Sequence, residues 1–193
     1  MKGQLRLLGG RKLDSPKGLM TRPTPARVRE AVMNFLGEKV HGCHWLDLCS
    51  GSGVMSCEAL ERGASRILAV EKNPQTAKIC KSNLMTIASD LSDQKFVEVI
   101  CREVISLLKK GCDNSHTWEG ADSQFDIVYL DPPYESKIYS IVLEKLLEGN
   151  WLKQNSLVIC EHSTTKELNT PREWCKQGKR VYGNTSLLII SPP

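Results

Sequence analysis

The chain has 193 residues, 40% hydrophobic and 25% charged, with a formal net charge of +4; these are the proportions of one ordinary globular domain with room for a substantial core. No apolar run reaches the ~18 residues of a membrane span, and the basic N-terminus lacks the apolar segment of a secretory signal, so no membrane and a cytoplasmic location are expected. The 8 cysteines include no C-x-x-C pair, and His41, His44, His116 and His162 do not join them at ligand spacing, which predicts reduced thiols and no metal.

The charge is unevenly spread. Residues 1–30 hold Lys2, Arg6, Arg11, Lys12, Lys17, Arg22, Arg27 and Arg29 against Asp14 and Glu30, a net of +6, while the remainder carries a net of −2. Clustered cations of this kind suit a phosphate backbone, from which they displace counterions; a solvated tail is the alternative.

After the breaks at Gly9-Gly10 and Pro16-Lys17-Gly18, Thr21–Pro25 opens a helix, with Thr24 as its cap and Pro25 in its first turn. Val28, Val32, Phe35 and Leu36 recur at helical spacing and predict a buried face, leaving Arg22, Arg27 and Arg29 near the helix start. From residue 45 onward apolar runs alternate with helical patterns. Trp45–Cys49, Ile67–Val70, Val97–Cys101, Phe125–Leu130 and Leu157–Cys160 read as strands, and Val54–Arg62, Gln75–Ile87, Val104–Lys110 and Ile138–Leu147 as helices. Nearly continuous apolar strands separated by helices predict an α/β fold whose parallel sheet is covered on both faces. Gly111–Gln124 is polar and irregular and reads as a surface loop. Lys179–Tyr182 and Ser186–Ile190, joined at Gly183-Asn184, read as a hairpin.

Three places carry chemistry. The first strand runs into Asp47-Leu48-Cys49-Ser50-Gly51-Ser52-Gly53, where Gly51 and Gly53 allow a tight turn and close backbone approach to a ligand ahead of a helix. Ser56 stands where a dinucleotide fingerprint has its third glycine, which counts against a pyrophosphate cofactor. The second strand ends in Glu71, suitably spaced to accept hydrogen bonds from both hydroxyls of a ribose. The fourth strand ends in Asp131-Pro132-Pro133-Tyr134, a carboxylate, a rigid turn and an aromatic ring able to hold a planar nitrogen-bearing group. A plain Gly turn and a plain Pro-Pro turn are the bland alternatives for the first and last.

Thr21–Leu36, Leu46–Gly53, Glu58-Ala59-Leu60 with Arg62-Gly63-Ala64, Val70-Glu71, Asp131–Tyr134, Trp151-Leu152, Glu161 and Arg180–Gly183 together resemble the RsmD family of class I S-adenosylmethionine-dependent methyltransferases, in the family's order and over almost the whole chain. That family methylates the exocyclic N2 of a guanine in small-subunit (16S) ribosomal RNA. The resemblance implies a single Rossmann-like domain with a seven-stranded, mostly parallel sheet, helices on both faces and an antiparallel C-terminal hairpin. It implies residues 1–23 as a basic RNA-binding extension and 24–193 as the methyltransferase domain, acting as a monomer on ribosomal RNA, free or within a 30S particle.

Carried over by position, Asp47, Gly51 and Gly53 line the methionine part of S-adenosylmethionine and Glu71 holds its ribose, with Arg102 or Glu103 beside the adenine. Cys49 departs from the family, where an aromatic residue is frequent. Asp131 and the Pro132 carbonyl accept hydrogen bonds from the guanine amine, Tyr134 offers a stacking face, and Pro133 helps fix the loop. Arg22 and Arg29 grip neighbouring phosphates, an intramolecular ion pair being the alternative. Glu161-His162 after the fifth strand and Tyr182 border the cleft, with Glu161 ordering loops. Three other readings compete: a DNA adenine-N6 or cytosine-N4 methyltransferase, for which little chain is left to recognise a target; a protein-glutamine methyltransferase, which favours Asn where Asp131 stands; and a non-catalytic RNA-binding assembly factor.

Overall fold

A computed structural model describes residues 4–16, 24–91, 94–115, 123–133, 138–165 and 167–193. The elements run α1 Ala26–Leu36, β1 His44–Leu48, α2 Val54–Glu61, β2 Arg66–Glu71, α3 Pro74–Ser89, β3 Phe96–Cys101, α4 Val104–Leu108, β4 Phe125–Leu130, α5 Tyr139–Glu148, β5 Leu152–Ser163, β6 Cys175–Tyr182 and β7 Thr185–Ser191. They form a 7-stranded sheet in the order β3-β2-β1-β4-β5-β7-β6. Strands β1 to β5 pair in parallel, and β7 lies antiparallel between β5 and β6.

The burial follows from strand alternation. In β1, Trp45 packs with α1, α2 and α3 on one face, whereas Leu46 and Leu48 pack with α4 and α5 on the other. Both faces are covered, which is why β1 is buried at every position and reads as an unbroken apolar run. Stacked rings, Trp45 on Tyr129 and Phe125 on Trp151, fill one layer on each side. Asn73 caps α3 by accepting hydrogen bonds from the Gln75 and Thr76 amides, with Pro74 in the first turn, as residues at such a start should.

Three local expectations change. Thr24 does not cap α1: Pro25 holds the cap position without a side-chain bond, and the Thr24 hydroxyl instead lies 3.5 Å from Asp131 Oδ2. Strand β5 is far longer than Leu157–Cys160, because β7 keeps pairing past the point where β4 stops, so Glu161 and His162 lie within the strand, opposite Leu187 and Ser186. The hairpin likewise starts at Cys175, with a register shift between Lys176 and Gly178. Of the loop Gly111–Gln124, Cys112–Asn114 forms a short 3-10 turn and residues 116–122 lie outside the described residues.

Residues 4–16 belong to the packed body. Leu5, Leu7 and Leu13 are buried in the same cluster as α1 and α2. The Leu8 amide donates to Glu58 at 2.9 Å, and Asp14 exchanges two hydrogen bonds with the Asn83 side chain. The boundary drawn at residue 23 therefore does not separate an extension from the domain over these residues: leucines alternate with the cations and bury themselves.

Candidate functional site

The strand order reverses between β1 and β4, both of which lie centrally with their carboxyl ends side by side. Crevices at such reversals are where open α/β sheets bind ligands. The two loops leaving these strands are directly joined, since the Asp131 amide donates to the Leu48 carbonyl at 3.3 Å.

The loop after β1 is built on unusual backbone. Cys49, Gly51 and Gly53 all have positive φ (67°, 56° and 77°). A Cβ added at Gly51 would meet nothing within 4 Å, whereas one at Gly53 would stand 2.7 Å from Cys80 Sγ. Gly53 thus marks close packing on α3, and Gly51 leaves an open cradle. Cys49 adopts this left-handed conformation despite its side chain, a strain that clusters at functional sites.

Glu71 closes the loop from the side. One of its carboxylate oxygens accepts from the Gly51 amide at 3.0 Å and the other from the Asn73 amide at 2.8 Å. Arg102 lies exposed at the tip of β3, its amide donating to the Glu71 carbonyl at 3.1 Å. Glu103 is committed elsewhere: its carboxylate caps α4, accepting from the Ile105 and Ser106 amides, and these bonds hold its carboxyl below the usual carboxylate range.

Carboxylates gather at this end of the sheet. Asp47 is only 2% exposed and accepts from Ser56 Oγ at 2.6 Å; burial, with a smaller push from Glu71, raises its pKa to about 7. Ser56, read as a missing glycine, is thus a partner of the buried acid. Asp131 is half-buried and its carboxyl is pushed well above the ordinary range, first by burial and then by Glu161 and Asp47. Glu161 accepts from the Tyr129 hydroxyl, and its carbonyl accepts from Tyr139 Oη at 2.7 Å. Sequence reasoning gave Glu161 a vague ordering role and missed Tyr129 altogether, because a tyrosine inside FDIVYL reads as core; only the strand pairing Tyr129↔Ile159 and Leu130↔Cys160 brings it beside Glu161. Among the described residues no group of three His, Cys, Asp or Glu is arranged to hold a metal ion.

Pro132 is buried and Pro133 exposed beyond Asp131. Tyr134, expected to stack, and Arg22, expected on phosphate, lie outside the described residues. Arg29 is corrected. It is 4% exposed, pairs with Glu58 at 3.1 Å and donates to the carbonyls of Thr24 and Arg6 at 2.8 and 2.6 Å. Its guanidinium is spent on tying α1, α2 and the N-terminal segment together; the ion-pair alternative is the one the structure adopts, with Glu58. Tyr182 packs against the α1-side core, and His162 is buried, with Nδ1 2.9 Å from the Ser163 carbonyl.

Three kinds of comparison bear on the chain. The model of the family described as "Conserved hypothetical protein 95" matches residues 3–191. "Ribosomal RNA small subunit methyltransferase D" of Haemophilus influenzae is 33% identical over 189 residues, covering 96% of this chain and 92% of the relative, and the protein of the same name from Escherichia coli is 28% identical, covering 95% and 88%. Among solved structures, "Putative methyltransferase yhhF from Escherichia coli" superposes with a TM-score of 0.80 at 27% identity, covering 98% of each chain.

Proposed function

The chain belongs to the RsmD family, whose model is described as "Conserved hypothetical protein 95", and on that premise we propose that it transfers a methyl group from S-adenosylmethionine to the exocyclic N2 of a guanine in small-subunit ribosomal RNA. The observation that carries the reading is the junction of the two loops: the donor-type loop after β1 and the Asp131-Pro132-Pro133 loop after β4 meet through the hydrogen bond between Asp131 and Leu48.

The residues fit the donor. Gly51 leaves an unfilled cradle, Glu71 stands at the loop's edge, and Asp47 and Asp131 are crowded carboxylates whose ionised forms a cationic ligand would stabilise. Asp47, Gly51 and Gly53 are assigned to the methionine part, Glu71 to the ribose and Arg102 to the adenine side. Bound there, S-adenosylmethionine supplies an electrophilic methyl group and a positive charge.

The rest of the chemistry falls to the chain. A guanine N2 lone pair is delocalised into the ring and is a poor nucleophile. Hydrogen bonds from its N–H groups to the Asp131 carboxylate and the Pro132 carbonyl favour a localised, correctly aimed pair, and much of the acceleration is positional. The same crowding that raises the Asp131 pKa makes its ionised form a competent acceptor for the proton that N2 sheds, with the Thr24 hydroxyl holding Oδ2. Pro133 keeps the loop rigid. Tyr134 is assigned the stacking face, an interaction of about 1–3 kcal/mol in nucleic-acid binders, for a base swung out of its helix. Arg22 is assigned to a phosphate. We further assign the chain to a cytoplasmic monomer acting on free RNA or a 30S particle.

The test offers methyl-labelled donor with naked small-subunit RNA, 30S particles lacking the mark, duplex DNA and protein. Label on N2 of a guanine is expected; label in DNA or protein with none in RNA overturns the reading.

A further inference from the structure

The outer edge of the sheet on the side of α1 has a composition that the fold does not require. Strand β6 (CKQGKRVY) carries Lys176, Lys179 and Arg180 and no acidic residue. Its partners fix which side chains share a face. Gly178 lies opposite Ile189 and Arg180 opposite Leu187, and both partners point into the α1-side core, so Gly178, Arg180 and Tyr182 face α1. Across from them, Arg27 and Phe35 lie eight residues apart on α1, on one face and about 12 Å apart along the axis.

The two glycines leave room for these side chains. A Cβ at Gly183 would stand 2.5 Å from Arg27 Nη2, and one at Gly178 would have Arg180 Nη1 at 3.7 Å and Phe35 Cε2 at 3.9 Å. Arg27 and Arg180 are exposed, Phe35 and Tyr182 half-buried. Neither arginine pairs with a carboxylate among the described residues. Arg27 follows Thr24 by three residues, and the Thr24 hydroxyl reaches Asp131, so the face is continuous with the acceptor loop.

We propose that the exposed face along α1 and β6 is a track for the single-stranded RNA flanking the target nucleotide, with Arg27 and Arg180 each on a phosphate and Tyr182 and Phe35 offering ring surface to bases. Alternating cations and aromatic surface is the recognition chemistry of a single strand. The proposal rests on the reading of an RNA substrate and adds how the strand is held. Cations on an edge strand also discourage edge-to-edge pairing of sheets, but that role gives no reason for Arg27 to reach across to the Gly183 turn.

The experiment measures binding of an unmodified small-subunit ribosomal RNA fragment to the full chain by fluorescence anisotropy between 0.05 and 0.3 M salt, for wild type, Arg27→Ala/Arg180→Ala and Arg27→Lys/Arg180→Lys. Each phosphate contact to a single strand contributes about 0.7 to the slope of log affinity against log salt, so the alanine pair should flatten the slope by about 1.4 and weaken binding about 25-fold at 0.1 M salt, with the lysine pair close to wild type. Donor binding, read by calorimetry, reports that each variant is folded; Arg180→Gln alone, at an exposed strand position, gives half the slope change if the pair misfolds. Unchanged slope and affinity in folded variants overturn the track alone. A wild type that binds no RNA overturns both the track and the reading beneath it.

Discussion

Asp47 is held in the chain at a cost in stability, and Asp47→Asn should expose it. The carboxyl is raised from its ordinary 3.8 to about 7, chiefly by burial. At about 1.4 kcal/mol per unit that rise corresponds to up to about 4 kcal/mol of destabilisation once the group is ionised. The sign follows from proton counting: between pH 4 and 7 the native state binds more protons at this site than the unfolded chain, so stability falls as pH rises through that window and is level above it. Asparagine has the same shape, its carbonyl can still accept from Ser56 Oγ, and it carries no charge, though its amide hydrogens need partners at a cost of about 1–2 kcal/mol. The variant should therefore gain about 2 kcal/mol over wild type at pH 8, a rise of roughly 4–8 °C in midpoint for a domain of this size, with the advantage gone at about pH 5 and wild type the more stable by about 1 kcal/mol at pH 4. Thermal unfolding without donor, scanned from pH 4.5 to 8.5, measures it. The same variant should lose S-adenosylmethionine binding by calorimetry. If its advantage over wild type did not grow with pH, the buried charge would not be the destabilising element.

The donor should meet the same titration from the other side: its affinity for wild type should climb with pH up to about 7, where Asp47 ionises, and then level off, with proton release on binding visible as a dependence of calorimetric heat on buffer. Asp131→Asn should lose about 10²–10⁴-fold in methylation rate at saturating donor, the range of a positioned proton acceptor; a variant at full rate excludes that role. Arg29→Ala should destabilise by about 3–5 kcal/mol, because it leaves Glu58 buried with the Arg62 pair as its remaining charge partner; urea unfolding reads this, and an unchanged midpoint would contradict it. Gly53→Ala should cost about 2 kcal/mol or more, from the positive φ and from Cys80 Sγ at 2.7 Å, and Cys80→Ala in the same chain should recover only the contact part.

Much of this architecture is written in local pattern. The five parallel strands are apolar runs because both faces of the sheet are covered, and a run such as FDIVYL needs no tertiary information to be recognised. Asp47, Glu71 and Asp131 are legible for a related reason: each is an acid within a residue or so of the end of such a run, at the carboxyl edge where ligands collect. What the pattern does not carry is pairing between distant segments. The extension of β5 through Glu161 depends on β7, more than twenty residues later, and the hydrogen bond from Tyr129 to Glu161 depends on the register of β4 with β5.

The basic N-terminal cluster shows where composition misleads. Three arginines within eight residues, Arg22, Arg27 and Arg29, look equivalent as charge. Helical geometry separates the last two. Arg29 follows the buried Val28 and sits one turn before Val32 and Met33 on the inward face of α1, where Glu58 and two carbonyls receive its three nitrogens; Arg27, two positions earlier, is turned to solvent and rests against Gly183. Position 29 could have been suspected from the period alone, since a residue flanked by Val28, Val32 and Met33 shares their face. A cation on an apolar stripe is improbable unless an acid awaits it, and Glu58, four residues before Arg62 on α2, is that acid. Reading the charges by helical face rather than by count would have assigned Arg29 to structure and left Arg27 as the candidate for phosphate.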